Sequence, residues 1–106
     1  MTERVSRIVM ELRDRLEELY GDRLERVVLF GSQARGDATP ESDVDVLVVL
    51  RGEVAPIEEI RRTGALASEL SLRYDADVAI TFTASDRFEN GDGPFLRNVR
   101  EEGVLV

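Results

Sequence analysis

The sequence predicts one α/β domain, in which a small mixed β-sheet of three to four strands is covered by about three to four helices. Short apolar runs rich in β-branched residues, typical of strands, begin near residues 27, 43 and 77. Other segments carry apolar residues every three or four positions, which is typical of amphipathic helices. A chain of 106 residues has room for one modest core, so residues 1–106 are expected to form a single domain.

The chain opens with a predicted helix over residues 2–20, in which the apolar residues follow the three-and-four spacing and Gly21 favours a C-terminal stop. This helix is expected to cover the sheet. Tyr20, near its end, is interpreted as a packing residue. The first strand then runs from about Arg26 to Phe30.

A candidate phosphate-binding loop follows this strand directly. Gly31 comes first, and Ser32 to Arg35 can form one helical turn whose free N–H groups face an anion. Taken alone, Gly31-Ser32 is more typical of an ordinary turn, but the carboxylates further on favour phosphate binding. Arg35 is expected either to contact phosphate and support the site or to lie at the surface. Ser42 is a further candidate nucleotide-binding residue, although it also suits a cap of the turn before the next strand.

The second predicted strand, Asp43 to Leu50, begins with two aspartates two residues apart. Because side chains alternate along a strand, Asp43 and Asp45 lie on one face and Val44 on the other. Two carboxylates about 4 Å apart repel by about 4 kcal/mol at an effective dielectric near 20, so the pair favours a cation between them. Oxygen ligands without His or Cys select Mg²⁺, Ca²⁺ or Mn²⁺, of which Mg²⁺ is expected here.

A third carboxylate is expected from the strand that opens at Asp77. If the first two strands are antiparallel, the phosphate loop and the paired aspartates meet at one end of the sheet. A third strand parallel to the second brings its start to that end, and residues 56–73 are long enough for the right-handed helical crossover that this requires. Asp75 is the alternative, and Asp77 is favoured because it directly precedes the apolar residues of the strand.

The remaining elements are placed by proline, glycine and apolar spacing. Pro56 favours the start of the crossover helix, whose apolar positions are Ile57, Ile60, Leu66, Ala67 and Leu70. Residues 85–93 are expected to form a mobile stretch of turns that borders the substrate entrance, because Asn-Gly-Asp-Gly occupies its end. Pro94 begins the last helix, Gly103 ends it, and residues 104–106 suit a short edge strand.

Composition excludes several classes of chemistry. The net charge of −8 argues against a nucleic-acid partner held through its phosphates. All 14 basic residues are Arg, and the absence of Lys, His and Cys removes Schiff-base chemistry, imidazole bases, disulfides and typical zinc sites. No signal peptide or membrane span is visible, so a cytoplasmic protein is expected.

The central stretch GSQARGDATPESDVDVLVV resembles the GSxARGxxxxxSDxDLxV signature of the minimal nucleotidyltransferases, within the DNA polymerase beta-like nucleotidyltransferase superfamily. The ending PFLRNVREEG is similar to the C-terminal helix of that family, so the resemblance covers nearly the whole chain. Val46 stands where leucine is usual, a change that should not affect the chemistry. The resemblance implies the polymerase beta-like palm fold.

The resemblance also implies roles for individual residues. Gly31 and Ser32 are expected to hold the triphosphate of ATP. Asp43 and Asp45 are expected to ligate two Mg²⁺ ions, and Asp77 is the third carboxylate.

The activity implied by the resemblance is transfer of AMP from ATP to a hydroxyl group. Many small members of the family are antitoxins that silence a HEPN-domain ribonuclease toxin by modifying a tyrosine, so a HEPN-domain partner is expected. Two alternatives stay open at this point. One is a non-catalytic antitoxin that neutralises its partner by binding, and the other is an enzyme acting on a small molecule such as an aminoglycoside or on an RNA end. The sequence leaves the oligomeric state open.

Overall fold

The computed structural model describes residues 1–106. The chain forms four strands and five α-helices, with a single 3₁₀ turn at Gly21–Arg23 after the first helix. Their bounds are α1 Glu3–Tyr20, β1 Leu24–Phe30, α2 Ser32–Arg35, β2 Val44–Leu50, α3 Pro56–Tyr74, β3 Val78–Ala84, α4 Ser85–Asn90, α5 Pro94–Glu102 and β4 Val104–Leu105.

The strands form one mixed sheet in the order β3-β2-β1-β4. β1 is antiparallel to both β2 and β4, whereas β2 and β3 are parallel and are joined by the crossover helix α3. The predicted mixed sheet, the crossover and the C-terminal edge strand are therefore confirmed. The helices number five, more than the three to four expected.

Local signals fix the ends of the two long helices. The Thr2 side chain accepts a hydrogen bond from the Val5 N–H at the start of α1, and Gly21 ends the helix with φ +56°. Pro56 occupies the first turn of α3, where its missing N–H costs no hydrogen bond. Asp75 ends α3 in the left-handed conformation with φ +49°, which directs the chain toward β3.

The sheet is covered on both faces. Alternate residues of β1, β2 and β3 pack against α1 and α3 in the larger core, which includes Ile8, Leu12, Leu29, Val46, Val48 and Leu70. The opposite face carries a smaller core with α4 and α5, made of Val28, Leu47, Val49, Phe88, Leu96 and Val99. β2 is buried on both faces over its last five residues, which explains its continuous apolar run.

Several predicted boundaries need correction. β1 begins at Leu24, and β2 begins at Val44, so Asp43 directly precedes the strand. Residues 85–90 form helix α4 rather than a mobile stretch, because Phe88 is buried in the smaller core and its carbonyl accepts a hydrogen bond from Arg100. Only residues 91–93 are turn-like.

Two apolar positions that predicted α3 lie outside the core. Ile57 is 72% exposed and Ile60 is 55% exposed. The buried residues of this helix are Glu59, Thr63, Leu66 and Leu70, so the sheet contacts a different side from the one that the isoleucines mark. None of the helices is long and apolar enough to cross a membrane.

Candidate active site

The three predicted carboxylates lie on the same face of the sheet. Val44 and Val78 belong to the core with α1 and α3, so the alternation of side chains directs Asp43, Asp45 and Asp77 to the opposite face. The N–H of Val44 donates to the carbonyl of Asp77 at 2.8 Å, which brings the starts of β2 and β3 together.

The turn before α2 approaches the second of these aspartates closely. Gly31 has φ +72°, and a Cβ atom at this position would lie 2.5 Å from Oδ2 of Asp45. Only glycine fits both the backbone conformation and this approach without displacing the carboxylate. The glycine thus sets the chain of the turn directly against Asp45.

The turn itself is the short helix predicted from the sequence. The N–H groups of Ala34 and Arg35 donate to the carbonyl of Gly31 at 3.1 Å, and that of Gly36 donates to the carbonyl of Ser32. The first N–H groups of a helical turn have no acceptor within it, so those of Ser32 and Gln33 are available to an anion. Gly36 ends the turn in the left-handed conformation.

Charge is concentrated at the aspartate pair. Burial raises the pKa of Asp45, the neighbouring negative charge of Asp43 raises it further, and the Arg35 guanidinium lowers it. Both effects that raise the pKa oppose the ionised form. The pair therefore carries more negative charge than the protein neutralises, which favours a bound cation.

Arg35 and Ser42 both hold the loop that precedes β2. The Arg35 guanidinium lies 3.3 Å from the carboxylate of Asp37 and 3.9 Å from that of Glu102 on α5, and its side chain is 46% exposed. The Ser42 hydroxyl accepts a hydrogen bond from the Thr39 N–H at 2.9 Å, as expected of a turn-capping residue.

Gln33 is a residue of the site that sequence reasoning missed. It is 8% exposed, and its side-chain amide donates to the carbonyl of Ser42 at 3.4 Å, so it joins α2 to the loop before Asp43. Its position inside the predicted phosphate loop was visible in the sequence, but its burial was not.

The aspartates fit a divalent metal in chemistry but do not form a complete metal centre. Their donors are carboxylate oxygens alone, which is the ligand set that Mg²⁺ prefers. Asp43 and Asp45 interact with each other, yet no group of three or more carboxylates converges into a metal site in the structure. The structure thus brings Asp43 and Asp45 together and leaves Asp77 apart from them on the same face.

Two surface depressions adjoin these residues. A groove of about 690 Å³ includes Ser42, Leu72 and Asp77. A smaller pocket of about 260 Å³ lies between the glycine turn and α5 and includes Gly31, Arg35 and Phe95. Each depression therefore includes two of the predicted site residues, although Asp43 and Asp45 line neither of them.

A glycine-led turn set against paired aspartates on a mixed sheet is the kind of site that handles phosphate with a divalent metal. Residues 9–104 match the family model described as nucleotidyltransferase domain. The chain therefore belongs to the nucleotidyltransferase domain family and is a nucleotidyltransferase, and the predicted resemblance to the minimal nucleotidyltransferases is confirmed.

Curated relatives come from Methanocaldococcus jannaschii. MJ0604 is 34% identical over 99 residues, which cover 92% of this chain and 93% of the relative. MJ0141 is 43% identical over 68 residues, which cover 64% of this chain and 68% of the relative. Both carry the provisional name protein adenylyltransferase.

Solved structures show the same fold at lower identity. A nucleotidyltransferase, so named provisionally, from Sulfolobus solfataricus superposes with a TM-score of 0.59 at 24% identity, covering 97% of this chain and 82% of that one. A chain from a toxin–antitoxin crystal structure with AMP-PNP superposes with a TM-score of 0.62 at 21% identity. The match covers 90% of this chain and 69% of that chain. These likenesses show that the chain has the same fold as these structures.

Proposed function

We propose that this protein transfers AMP from ATP to a tyrosine hydroxyl of a HEPN-domain toxin and thereby acts as an antitoxin. The observation that supports the site chemistry best is the contact of Gly31 with Asp45, because it sets a phosphate-type turn against a carboxylate pair. The relatives in M. jannaschii carry the provisional name protein adenylyltransferase, which favours a protein acceptor. The toxin–antitoxin neighbour favours a toxin as that acceptor.

The nucleotide is assigned to the glycine turn. Gly31 and Ser32 bind the triphosphate through the first N–H groups of α2, and the seryl hydroxyl adds a donor. Arg35 supplies positive charge at the side of the turn, and Ser42 holds the loop that leads to the aspartates. These contacts orient the α-phosphate toward the carboxylate face, so the contribution of the turn is positioning.

Asp43 and Asp45, together with Asp77 on the same face of the sheet, are the residues that would hold Mg²⁺. Two such ions, when bound, supply charge stabilisation for the attacking and leaving oxygens. The acceptor hydroxyl oxygen forms a bond to the α-phosphorus, the bond from that phosphorus to the bridging oxygen breaks, and pyrophosphate leaves with the bonding electrons. Asp77 accepts the proton of the hydroxyl and passes it to water.

The test is labelling of an acceptor in a lysate of the source. The purified protein is incubated with Mg²⁺ and ATP labelled at the α-phosphate, and the labelled product is sequenced and its modified residue located by mass spectrometry. We expect one labelled HEPN-domain protein modified at tyrosine. Asp43→Asn should abolish the label, whereas Asp14→Asn, a change at an exposed position of α1, should retain it.

Three results would contradict the proposal. Equal labelling by wild type and Asp43→Asn removes the carboxylates from the chemistry. A labelled small molecule or RNA with no labelled protein changes the acceptor class. Neutralisation of a co-expressed toxin by the Asp43→Asn variant, without any label, would make the protein an antitoxin that works by binding alone.

A further inference from the structure

No other strand pairs with the outer edge of β3. β3 is the last strand of the sheet, and its seven residues pair with β2 on one side only. Because the Val44 N–H donates to the Asp77 carbonyl, the odd-numbered residues of β3 direct their backbone groups to β2 and the even-numbered ones direct theirs outward. The Val78 N–H donates to the Ser71 hydroxyl at 3.1 Å, but Ile80 and Phe82 have no partner for theirs.

β3 itself lacks the charged residues, proline and bulges that usually protect an edge strand. Natural proteins block such edges with charged residues, proline, bulges or covering segments. The sequence of β3 is VAITFTA, which has neither charge nor proline, and its register with β2 is continuous over seven pairs. An edge of this kind is a template for strand addition.

The edge leads directly to the candidate active site. Asp77 immediately precedes β3 and lies on the carboxylate face of the sheet. On that same face, Ala79 and Thr81 are small and exposed, so nothing at these positions obstructs a side chain from a neighbouring strand. Directly opposite residues of paired strands have Cβ atoms about 4.5–5.5 Å apart, which brings a residue opposite Asp77 next to its carboxylate.

The two ends of the edge differ in polarity. The Ser71 hydroxyl accepts a hydrogen bond from the Val78 N–H, so Ser71 lies on the side of α3 that borders β3. Ile60 lies on the same side of the helix, three turns earlier, and is 55% exposed. The groove at the start of β3 instead contains the carboxylates of Glu41, Asp75 and Asp77, with one guanidinium from Arg4. A strand added here would thus meet the apolar side chain of Ile60 on α3 and negative charge beyond Asp77.

We propose that the acceptor polypeptide of the AMP transfer binds as an added strand along the edge of β3, with its hydroxyl residue opposite Asp77. The inference rests on the proposed function. It specifies the acceptor as an extended segment with an apolar residue facing α3 and basic residues next to the modified tyrosine. No separate acceptor-binding domain is then required for this mode of recognition.

The first test uses peptides in place of the partner. The parent is a short peptide of alternating valines and threonines with one tyrosine followed by arginines, incubated with the protein, Mg²⁺ and labelled ATP. Two derivatives carry N-methyl groups on alternate backbone nitrogens. In one derivative the odd-numbered nitrogens are methylated, and in the other the even-numbered nitrogens are methylated. Strand addition predicts that one derivative loses about tenfold or more in kcat/KM, because its hydrogen bonds to β3 are blocked, while the other matches the parent.

The second test changes the edge itself. Thr81→Lys places a charge beside the edge, and Ile80→Pro removes an N–H that faces outward, so neither change breaks a hydrogen bond to β2. Ser68→Lys, at an exposed position of α3, is the matched control for added charge. Both edge variants should lower kcat/KM for the parent peptide about tenfold without changing KM for ATP. The control should behave as wild type, and circular dichroism verifies folding.

Several outcomes would overturn the inference. They are equal turnover of both methylated peptides, wild-type kinetics in Thr81→Lys, and labelling of a lysate protein without labelling of any peptide. A dimer that Thr81→Lys dissociates would assign the edge to a second copy of the chain. If no acceptor at all is labelled in a way that depends on Asp43, the proposed function itself is refuted.

Discussion

The contact between Gly31 and Asp45 is the most constrained position in the site. The glycine has φ +72°, and a Cβ atom added to it would lie 2.5 Å from Oδ2 of Asp45, so a side chain here would strain the backbone and displace the carboxylate. Asp45 is in turn half-buried near the start of β2, next to the part of the strand that is buried on both faces. A change at Gly31 therefore acts on the carboxylate as well as on the backbone.

We predict that Gly31→Ala lowers the free energy of unfolding by about 1–3 kcal/mol, from the strained backbone and the displaced carboxylate. AMP transfer should fall in parallel. Gly64→Ala is the matched control, since a Cβ atom added to this helical glycine would have no atom within 4 Å, and it should stabilise α3 by about 0.5–1 kcal/mol. Thermal unfolding of the two variants measures both effects, and equal stability of Gly31→Ala and wild type would contradict the geometry.

Asp45 gives a prediction with a defined pH dependence. Burial and the charge of Asp43 raise its pKa in the folded protein, so the folded state binds the proton more tightly than the unfolded state does. Ionised Asp45 therefore destabilises the metal-free protein above this raised pKa, and the destabilisation disappears as the pH falls through it. Asp45→Asn should raise Tm by a few degrees at pH 7 without metal.

The advantage of Asp45→Asn over wild type should shrink as the pH is lowered from 7 to 4. Asp14→Asn reports the effect of removing an ordinary exposed carboxylate and should show little change across this range. Melting curves of the wild type and the two variants, recorded in parallel with a chelator present, measure these differences in Tm. A constant difference in Tm between Asp45→Asn and wild type would show that Asp45 has the same pKa in both states.

At the scale of elements, α1 and α3 are joined by a buried polar contact. The Tyr20 hydroxyl donates to Oε1 of Glu59 at 2.8 Å, and the glutamate is only 4% exposed. Arg62 and Arg23 lie 3.6 Å and 3.9 Å from the carboxylate oxygens. Burial and the hydrogen bond to Glu59 raise the pKa of Tyr20 far above its ordinary value, so its hydroxyl remains a donor.

We expect Glu59→Ala to destabilise the protein by about 1–3 kcal/mol, because it leaves the buried tyrosine hydroxyl without an acceptor. Tyr20→Phe should cost less, and the double variant should show a coupling energy of about 0.5–3 kcal/mol. The exposed neighbour Glu58→Ala should stay within about 0.5 kcal/mol of wild type. Urea unfolding of the wild type, the two single variants and the double variant measures the coupling energy. If the destabilisation of the double variant equals the sum of the two single values, the contact contributes no stability of its own.

At the scale of the whole molecule, negative charge dominates, with 22 acidic and 14 basic residues. Much of the basic charge is used in ion pairs between elements, such as Arg15 with Glu69 and Arg73 with Glu11. The aspartate pair has no such partner beyond the weak influence of Arg35. A divalent cation should therefore stabilise the fold through this pair in addition to general screening.

Millimolar Mg²⁺ should raise Tm of the wild type more than NaCl at the same ionic strength does. In Asp43→Asn and Asp45→Asn, the two salts should act alike, because only screening remains. Differential scanning calorimetry makes the comparison. An equal response of wild type and variants to Mg²⁺ would exclude the aspartate pair as the cation site.

Local residue chemistry was enough to predict most elements and the identity of the candidate site. Thr2 and Gly21 delimit α1, Pro56 begins α3, and the two-residue spacing of Asp43 and Asp45 places them on one face. These signals depend on neighbours within a few positions, which a sequence displays directly. The roles in the reaction of all the predicted site residues remain predictions: Gly31, Ser32, Arg35, Ser42, Asp43, Asp45 and Asp77.

The features that sequence reasoning missed depend on contacts between distant segments. Helix α4 forms because Phe88 packs against β2, and Ile57 and Ile60 are exposed because another side of α3 meets the sheet. The burial of Glu59 likewise requires a partner far along the chain, Tyr20.

The sequence by itself determined the order of the elements, the glycine turn and the carboxylate pair, since turn preferences and strand alternation are local properties. Tertiary structure alone decided which helix faces are buried, that Asp45 lies against Gly31, and that no other strand pairs with the outer edge of β3 beside Asp77. Those outcomes follow from the packing of elements around a shared core, where burial and close approach are set by residues that the chain brings together only on folding.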